Sequence, residues 1–260
     1  MTILVTGGTG TLGQLVVVEL ARRDVAVRSF SRGLRGNNRF GVTVVGDLVS
    51  GEGLAEALEG VTTVVHCAHD SSAPDNSIAG AGNLLKASKA AGVAHFVYIS
   101  IAGIEPASDF PYYAVKLEEE RMVMDSGLGQ DGLGWSILRS AQFCTLVHAV
   151  LTRLNKANFV MSVPRDITFR PIAVETVAHR LADIAMGPPQ QRCRDLVGPQ
   201  TRSLEDLARE WLHFRGRKKI VLPFPSSTPG FKAFRKLAHG DADEAGPDWT
   251  QWLLESMPRT

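Results

Sequence analysis

Short apolar runs alternate with longer stretches of helical spacing along the first half of the chain. Thr2–Thr6 is an apolar run that ends in glycines. Thr11–Arg23 follows it, with Leu12, Leu15, Val16 and Leu20 on one stripe. Val25–Phe30, Val42–Val45, Val61–Cys67, His95–Ser100 and Trp135–Leu138 read as strands, and Gly53–Leu58, Asn76–Ala91 and Tyr112–Ser126 as helices. The strands are near-continuous apolar runs, as expected of strands buried on both faces. This rhythm predicts an α/β fold: a parallel sheet with helices on both sides.

After Arg139 the rhythm loosens. Phe143–Lys156, Val174–Ala185 and Leu204–Phe214 have helical patterns, Ile167–Phe169 and Leu196–Val197 are short strand candidates, and the proline-rich Pro223–Gly230 predicts a loop, a candidate lid. The expected organisation is a core over residues 1–140 and a smaller C-terminal lobe over 141–260. A length of 260 residues accommodates both.

Composition narrows the function classes. Hydrophobic residues are 44% and charged residues 21%, an ordinary globular balance. The net charge of +1 removes a bulk electrostatic case for nucleic acid or an anionic membrane. The apolar stretch Ala141–Leu151 is broken by Thr145 and His148 and is too short to span a bilayer. Cys67, Cys144 and Cys193 form neither a disulfide framework nor a zinc pattern, and they suit a reducing, cytoplasmic compartment. Met1–Thr6 carries no basic region, so no signal peptide is expected.

The strongest chemical signal is Thr6-Gly7-Gly8-Thr9-Gly10-Thr11-Leu12-Gly13, between the first strand and the first helix. Glycines there let a pyrophosphate approach the backbone, and the helix N-terminus offers unpaired N–H groups. The spacing is G-x-x-G-x-x-G. Gln14 stands where a P-loop needs lysine, which excludes that motif. An acidic residue about 20 positions on would select NAD, but the window Phe30-Ser31-Arg32-Gly33-Leu34-Arg35 has none. Ser31 and Arg32 suit a 2′-phosphate, which favours NADP(H). Asp47, followed by Leu48, is placed either to accept from adenine or to cap a turn. His66-Cys67-Ala68-His69-Asp70 holds metal-ligand residue types. Strand alternation keeps them from converging, so no metal is expected. No G-x-S-x-G elbow occurs, and the basic run Arg209–Lys219 reads as a solvated helix end.

These features together resemble the short-chain dehydrogenase/reductase superfamily, most closely its atypical, NmrA-like NAD(P)-binding branch. The matching stretches are Thr6–Gly13, Gly46-Asp47-Leu48, Val97–Ser100, Tyr112–Glu119, Ile137–Arg139 and Arg170–Ala178. The resemblance implies a doubly wound, Rossmann-type sheet with a small substrate-binding C-terminal lobe. It implies a Ser–Tyr–Lys active site at Ser100, Tyr112 and Lys116, with Tyr113 as an alternative phenol. Residues i and i+4 share a helix face, so Lys116 can lie near Tyr112 and favour its phenolate; the resemblance also implies that Lys116 hydrogen-bonds the nicotinamide ribose. Ser100 precedes Tyr112 by 12 residues, a shorter gap than in ordinary members. The resemblance also puts Cys67, Ala68 and His69 against the cofactor, and Gln142 and Phe143 beside the nicotinamide. Phe143, Phe169, Phe224 and Phe231 are candidate walls of an apolar pocket.

The expected function is NADPH-dependent reduction of a ketone, quinone or enone on a small, hydrophobic or aromatic substrate, as in secondary metabolism, by a monomer or homodimer. The alternatives are a non-catalytic NADP(H) sensor, a nucleotide-sugar epimerase of the extended branch, and quinone reduction with little need for Tyr112.

Overall fold

The computed structural model describes residues 1–33, 40–70, 73–128, 132–225, 227–237 and 240–256. Leu34 and Arg35 of the cofactor-selecting window, and Ser226 of the proline-rich stretch, lie outside them. The chain forms two compact units. The first comprises Met1–Ser100, Pro111–Arg139 and Val177–Arg194; the second comprises Ile101–Phe110, Ser140–Thr176 and Asp195–Thr260. One crossing falls between Arg139 and Ser140. The other segments change units because their partners lie there: Ser136 and Ile137 pair with Gln191 and Arg192, which ties the segment Val177–Arg194 to the first unit.

The elements run in chain order as β1 (Thr2–Thr6), α1 (Thr11–Arg22), β2 (Ala26–Ser31), β3 (Val42–Val45), α2 (Leu54–Leu58), β4 (Thr63–His66), α3 (Pro74–Ala90), β5 (His95–Ile101), α4 (Pro111–Ser126) and β6 (Gly134–Ser140). There follow α5 (Cys144–Leu154), β7 (Val160–Pro164), β8 (Thr168–Phe169), α6 (Val174–Met186), β9 (Gln191–Arg192), β10 (Leu196–Val197), β11 (Arg202–Ser203), α7 (Leu204–Phe214), β12 (Ile220–Phe224), α8 (Pro229–Lys236), β13 (Asp243–Glu244) and α9 (Trp249–Ser256).

In the first unit the strand order is β6-β5-β4-β1-β2-β3. β1 pairs in parallel with β2 on one side and β4 on the other, so Thr6 lies level with Phe30 and with His66. The winding direction reverses between β1 and β4. That is the switch point of a Rossmann-type sheet, and ligands bind in the crevice outside its carboxyl ends. Every residue of β4 is buried, as are all but the last of β5, which explains the apolar Val64-Val65 and Phe96–Ile99 stretches within them. β3 is the edge, with Val42 and Val45 exposed. One core layer gathers Leu4, Phe30, Leu58, Val64, Leu84, Phe96 and Tyr98.

The second unit has its own core of Cys144, Val147, Met161, Val163, Phe169, Leu207, Trp211, Trp249 and Trp252. Its strands pair as β7 with β12, β8 with β11 and β10 with β13. The stretch Pro223–Gly230 differs from the expected loop. Pro223 and Phe224 end β12, and Pro229 and Gly230 open α8. A proline is tolerated in β12 because that strand belongs to a two-stranded sheet and has one pairing edge. Phe169 is fully buried core, and Phe231 packs against the same cluster.

Candidate active site

The loop after β1 is built by close approach. Gly7 has φ +68°, and a Cβ there would sit 2.7 Å from the Ala68 backbone nitrogen. A Cβ on Gly13 would sit 2.2 Å from Gly7 O, so α1 can meet the loop only as glycine. Gly10 is the N-cap of α1 and supplies no side-chain cap. The first N–H groups of the helix, from Thr11, Leu12 and Gly13 onwards, are left for an anion.

This loop forms one wall of a cleft of about 250 Å³, lined by Gly7, Thr9 and Gly10 after β1, Phe30–Arg32 at the end of β2, Gly46–Val49 after β3, His66–Asp70 after β4, and Asn76, Ser77 and Gly80 of α3. All these segments lie at carboxyl ends of strands or the helix that follows, as the switch point requires. Ser31, Arg32, Asp47, Leu48, Cys67, Ala68 and His69 all line this one cleft. Gly8 lies outside the lining, buried against Ser29. The Asp47 carboxylate accepts from the backbone N–H of Val49 at 2.6 Å, which is the turn-capping role. The Ser31 hydroxyl donates to Gly33 O at 2.7 Å. Thr6 Oγ1 sits 2.7 Å from Nδ1 of His66, one of the lining residues. These residues fit a dinucleotide: a glycine loop without space for Cβ atoms, an uncapped helix N-terminus and a cation, Arg32, at the far end.

Ser100, Tyr112 and Lys116 do not line this cleft; Tyr112 adjoins it through His69, whose ring meets the Tyr112 ring edge-on at 4.9 Å. Ser100 ends the buried run of β5, and its Oγ has no partner among the described residues. Tyr112 is 42% exposed, whereas Tyr113 is 5% exposed and belongs to the core. Tyr112 is thus the accessible phenol. Gln142 and Phe143 belong to the second unit, where Gln142 is buried and Phe143 is the N-cap of α5.

The electrostatics correct one expectation. Lys116 does not lower Tyr112. Burial and then the nearby Glu119 carboxylate push the Tyr112 phenol above its ordinary value. Lys116 is engaged elsewhere: its Nζ donates to Tyr98 Oη at 3.0 Å and lies 3.4 Å from Glu119 Oε2. Tyr98 and Glu119 were not singled out from the sequence, although two signals existed. Tyr98 and Ser100 alternate onto one face of β5, and Glu119 stands at i+3 from Lys116. His66, which the sequence offers only as a metal-ligand type, is buried, and desolvation followed by the Lys116 charge depresses it to about 3. His69 is held at about 4 for the same reasons. Both imidazoles are neutral at ordinary pH. Burial pushes the Cys67 thiol up to about 12.

The sequence model of the NAD(P)H-binding family matches residues 7–185. This chain belongs to the NAD(P)H-binding family. The match covers the glycine loop, the cleft and the Ser100–Lys116 region. The family member is 29% identical to the photosystem II assembly factor Ycf39 of Trieres chinensis over 152 residues, 55% of this chain and 46% of that protein. It is 34% identical to a 3-beta-hydroxysteroid dehydrogenase of Mycolicibacterium neoaurum over 113 residues, 37% of this chain and 31% of that one. The chain thus spans about half or less of the length of these curated relatives. Among solved structures it is similar in fold to a triphenylmethane reductase of Citrobacter sp. complexed with NADP(H), at a TM-score of 0.74, 20% identity and coverage of 99% and 97% of the two chains. It is also similar to a nucleoside-diphosphate-sugar epimerase of Staphylococcus aureus, at a TM-score of 0.82, 17% identity and coverage of 98% and 100%. This NAD(P)H-binding protein therefore has a Rossmann-like fold. No described helix is long and apolar enough to cross a membrane.

Proposed function

We propose that this protein is an NADPH-dependent reductase of a carbonyl group, a ketone, quinone or enone, on a small hydrophobic substrate. The observation that carries the reading is the accessible, protonated Tyr112 phenol on α4, one turn from Lys116 and adjoining the cleft through His69. When bound, the cofactor supplies hydride from its nicotinamide. Tyr112 then gives its proton to the carbonyl oxygen as negative charge develops there. A phenol held above its ordinary value stays protonated at neutral pH, which suits a donor in reduction better than a base in oxidation. Ser100 Oγ, buried and without a protein partner, orients the same oxygen by a hydrogen bond. Thr11–Gly13 and the glycine loop hold the pyrophosphate, and Arg32 holds a 2′-phosphate. A reducing, cytoplasmic setting fits the free thiols Cys67, Cys144 and Cys193.

The test is loss of nicotinamide absorbance across a panel of quinones, enones and aromatic ketones, with Tyr112→Phe run beside the wild type. Turnover is expected, with kcat falling about 10²–10⁴-fold in the variant. Equal rates in the two proteins would instead support direct hydride transfer to a quinone. A second reading is a non-catalytic NADP(H)-binding factor. It draws support from the relatives named photosystem II assembly factors and from the engagement of Lys116 by protein groups. Tight NADPH binding without turnover of any acceptor would favour it.

A further inference from the structure

The lysine expected to reach a ligand is enclosed by protein. Its Nζ donates to Tyr98 Oη at 3.0 Å and to Ile99 O at 3.5 Å, and it lies 3.4 Å from Glu119 Oε2. Tyr98 Oη in turn donates to Glu119 Oε2 at 2.5 Å. An ammonium has three N–H donors, and these three oxygens account for them. Lys116 is 6% exposed, and Tyr98 and Glu119 are 0% exposed. The arrangement joins β5 to α4: Tyr98 and Ile99 come from the strand, Lys116 and Glu119 from the helix. It differs from a lone lysine beside a phenol, because the positive charge arrives with its own buried carboxylate.

We propose that Glu119 is a positioning residue: together with Tyr98 it clamps and neutralises the Lys116 ammonium, so that Tyr112 works as a neutral phenol that donates a proton. This deepens the reductase reading and rests on it. A bare ammonium one turn below Tyr112 would draw the phenol toward phenolate. With Glu119 at the ammonium, that pull is cancelled, and the carboxylate acts on Tyr112 in the opposite sense. The clamp thereby sets the direction of proton transfer.

The neighbouring groups do not compete for this role near or above neutral pH. Tyr112 faces His69 from the loop after β4, and Tyr113 from its own helix. The clamp faces His66 of β4, and Cys67 and His69 after it. Both imidazoles are neutral, and burial keeps Cys67 a thiol across the neutral range. Glu120, also on α4, has its charge taken by Arg139 at 2.6 Å and Arg192 at 3.3 Å.

The chain has 3 tyrosines, Tyr98, Tyr112 and Tyr113, which permits a direct test on the full chain without substrate. Tyrosinate absorbance is followed against pH, and the curve of Tyr112→Phe is subtracted to isolate Tyr112. Burial raises Tyr98 and Tyr113 as well, and both stand well above the ordinary phenol range. In Glu119→Gln the Tyr112 midpoint is expected to fall by about one unit or more, the range for a nearby charge. That fall is for a Lys116 that stays protonated; a Lys116 that loses its proton with Glu119 has the charges, and so the midpoint, of the Lys116→Met/Glu119→Gln double variant. In Lys116→Met the midpoint should rise, and in Lys116→Met/Glu119→Gln it should return toward the wild-type value. Equal Tyr112 midpoints in Lys116→Met and Lys116→Met/Glu119→Gln proteins that keep their circular dichroism overturn the proposal. This comparison does not need Glu119→Gln alone to fold. The titration needs no turnover, so its failure is separate from that of the reductase reading, which the Tyr112→Phe rate decides.

Discussion

In the proposed reading, Arg32 carries the choice between the two nicotinamide cofactors. It lies just past β2, lines the cleft and is exposed, and a guanidinium there can pair with a 2′-phosphate in a planar, two-bond geometry. Charge-assisted hydrogen bonds of this kind contribute about 1.5–3 kcal/mol, or about 10- to 100-fold in affinity. Arg32→Ala is therefore expected to weaken NADPH by that factor and leave NADH nearly unchanged, measured by titration calorimetry with each cofactor. A matched loss for both would remove Arg32 from 2′-phosphate recognition. At this scale the sequence told of Gly7, Gly10, Gly13, Arg32, Tyr112 and Lys116 because each depends on local spacing: a turn, the end of a strand, one helical face. The partners of Lys116 were not legible in the same way. Tyr98 meets Lys116 only because β5 lies under α4, and an 18-residue separation along the chain gives no sign of that 3.0 Å contact.

Elements were read best where one physical rule fixed their ends. α7 starts at Leu204 because the Ser203 hydroxyl accepts from the Asp206 backbone N–H at 3.0 Å. Its buried residues Leu204, Leu207, Ala208, Trp211 and Leu212 keep the i, i+3, i+4 pattern throughout. Ser203→Ala should cost about 1 kcal/mol, the usual loss for an N-cap, and chemical denaturation followed by tryptophan fluorescence would read it. Trp211, Trp249 and Trp252 all lie in the second unit's core and report on it directly. An unchanged midpoint would mean that the cap is replaced by other contacts. β7 and β12 were harder to see. Each is five residues long and carries a proline near or at its end, Pro164 and Pro223, so local rules name a turn. Their mutual pairing, Val160 with Ile220 through Pro164 with Phe224, settles them as strands. That pairing spans 60 residues and has no local signature.

At the scale of the whole molecule, every cleft segment belongs to the first unit although the chain passes between units several times. Binding of NADPH should therefore slow amide hydrogen exchange in residues 7–13, 46–49, 66–70 and 76–80. Peptides from the second unit's tryptophan core should stay close to their unbound rates. Exchange mass spectrometry checks this, and protection centred on residues 204–214 would contradict the cleft assignment. The division of the chain was only partly legible, because a fall in apolar rhythm after Arg139 marks one crossing and cannot show that a later segment returns. That return has a consequence during synthesis. α6 from Val177 onwards and β9 belong to the first unit, where Arg23 of the opening helix pairs with Asp183 at 2.6 Å. A nascent chain leaving the ribosome thus holds its nucleotide-binding half unfinished until residue 194 has emerged. Until then the flank of β6 that β9 will cover stays open, and a chaperone that shields strand edges would have most to do in that interval.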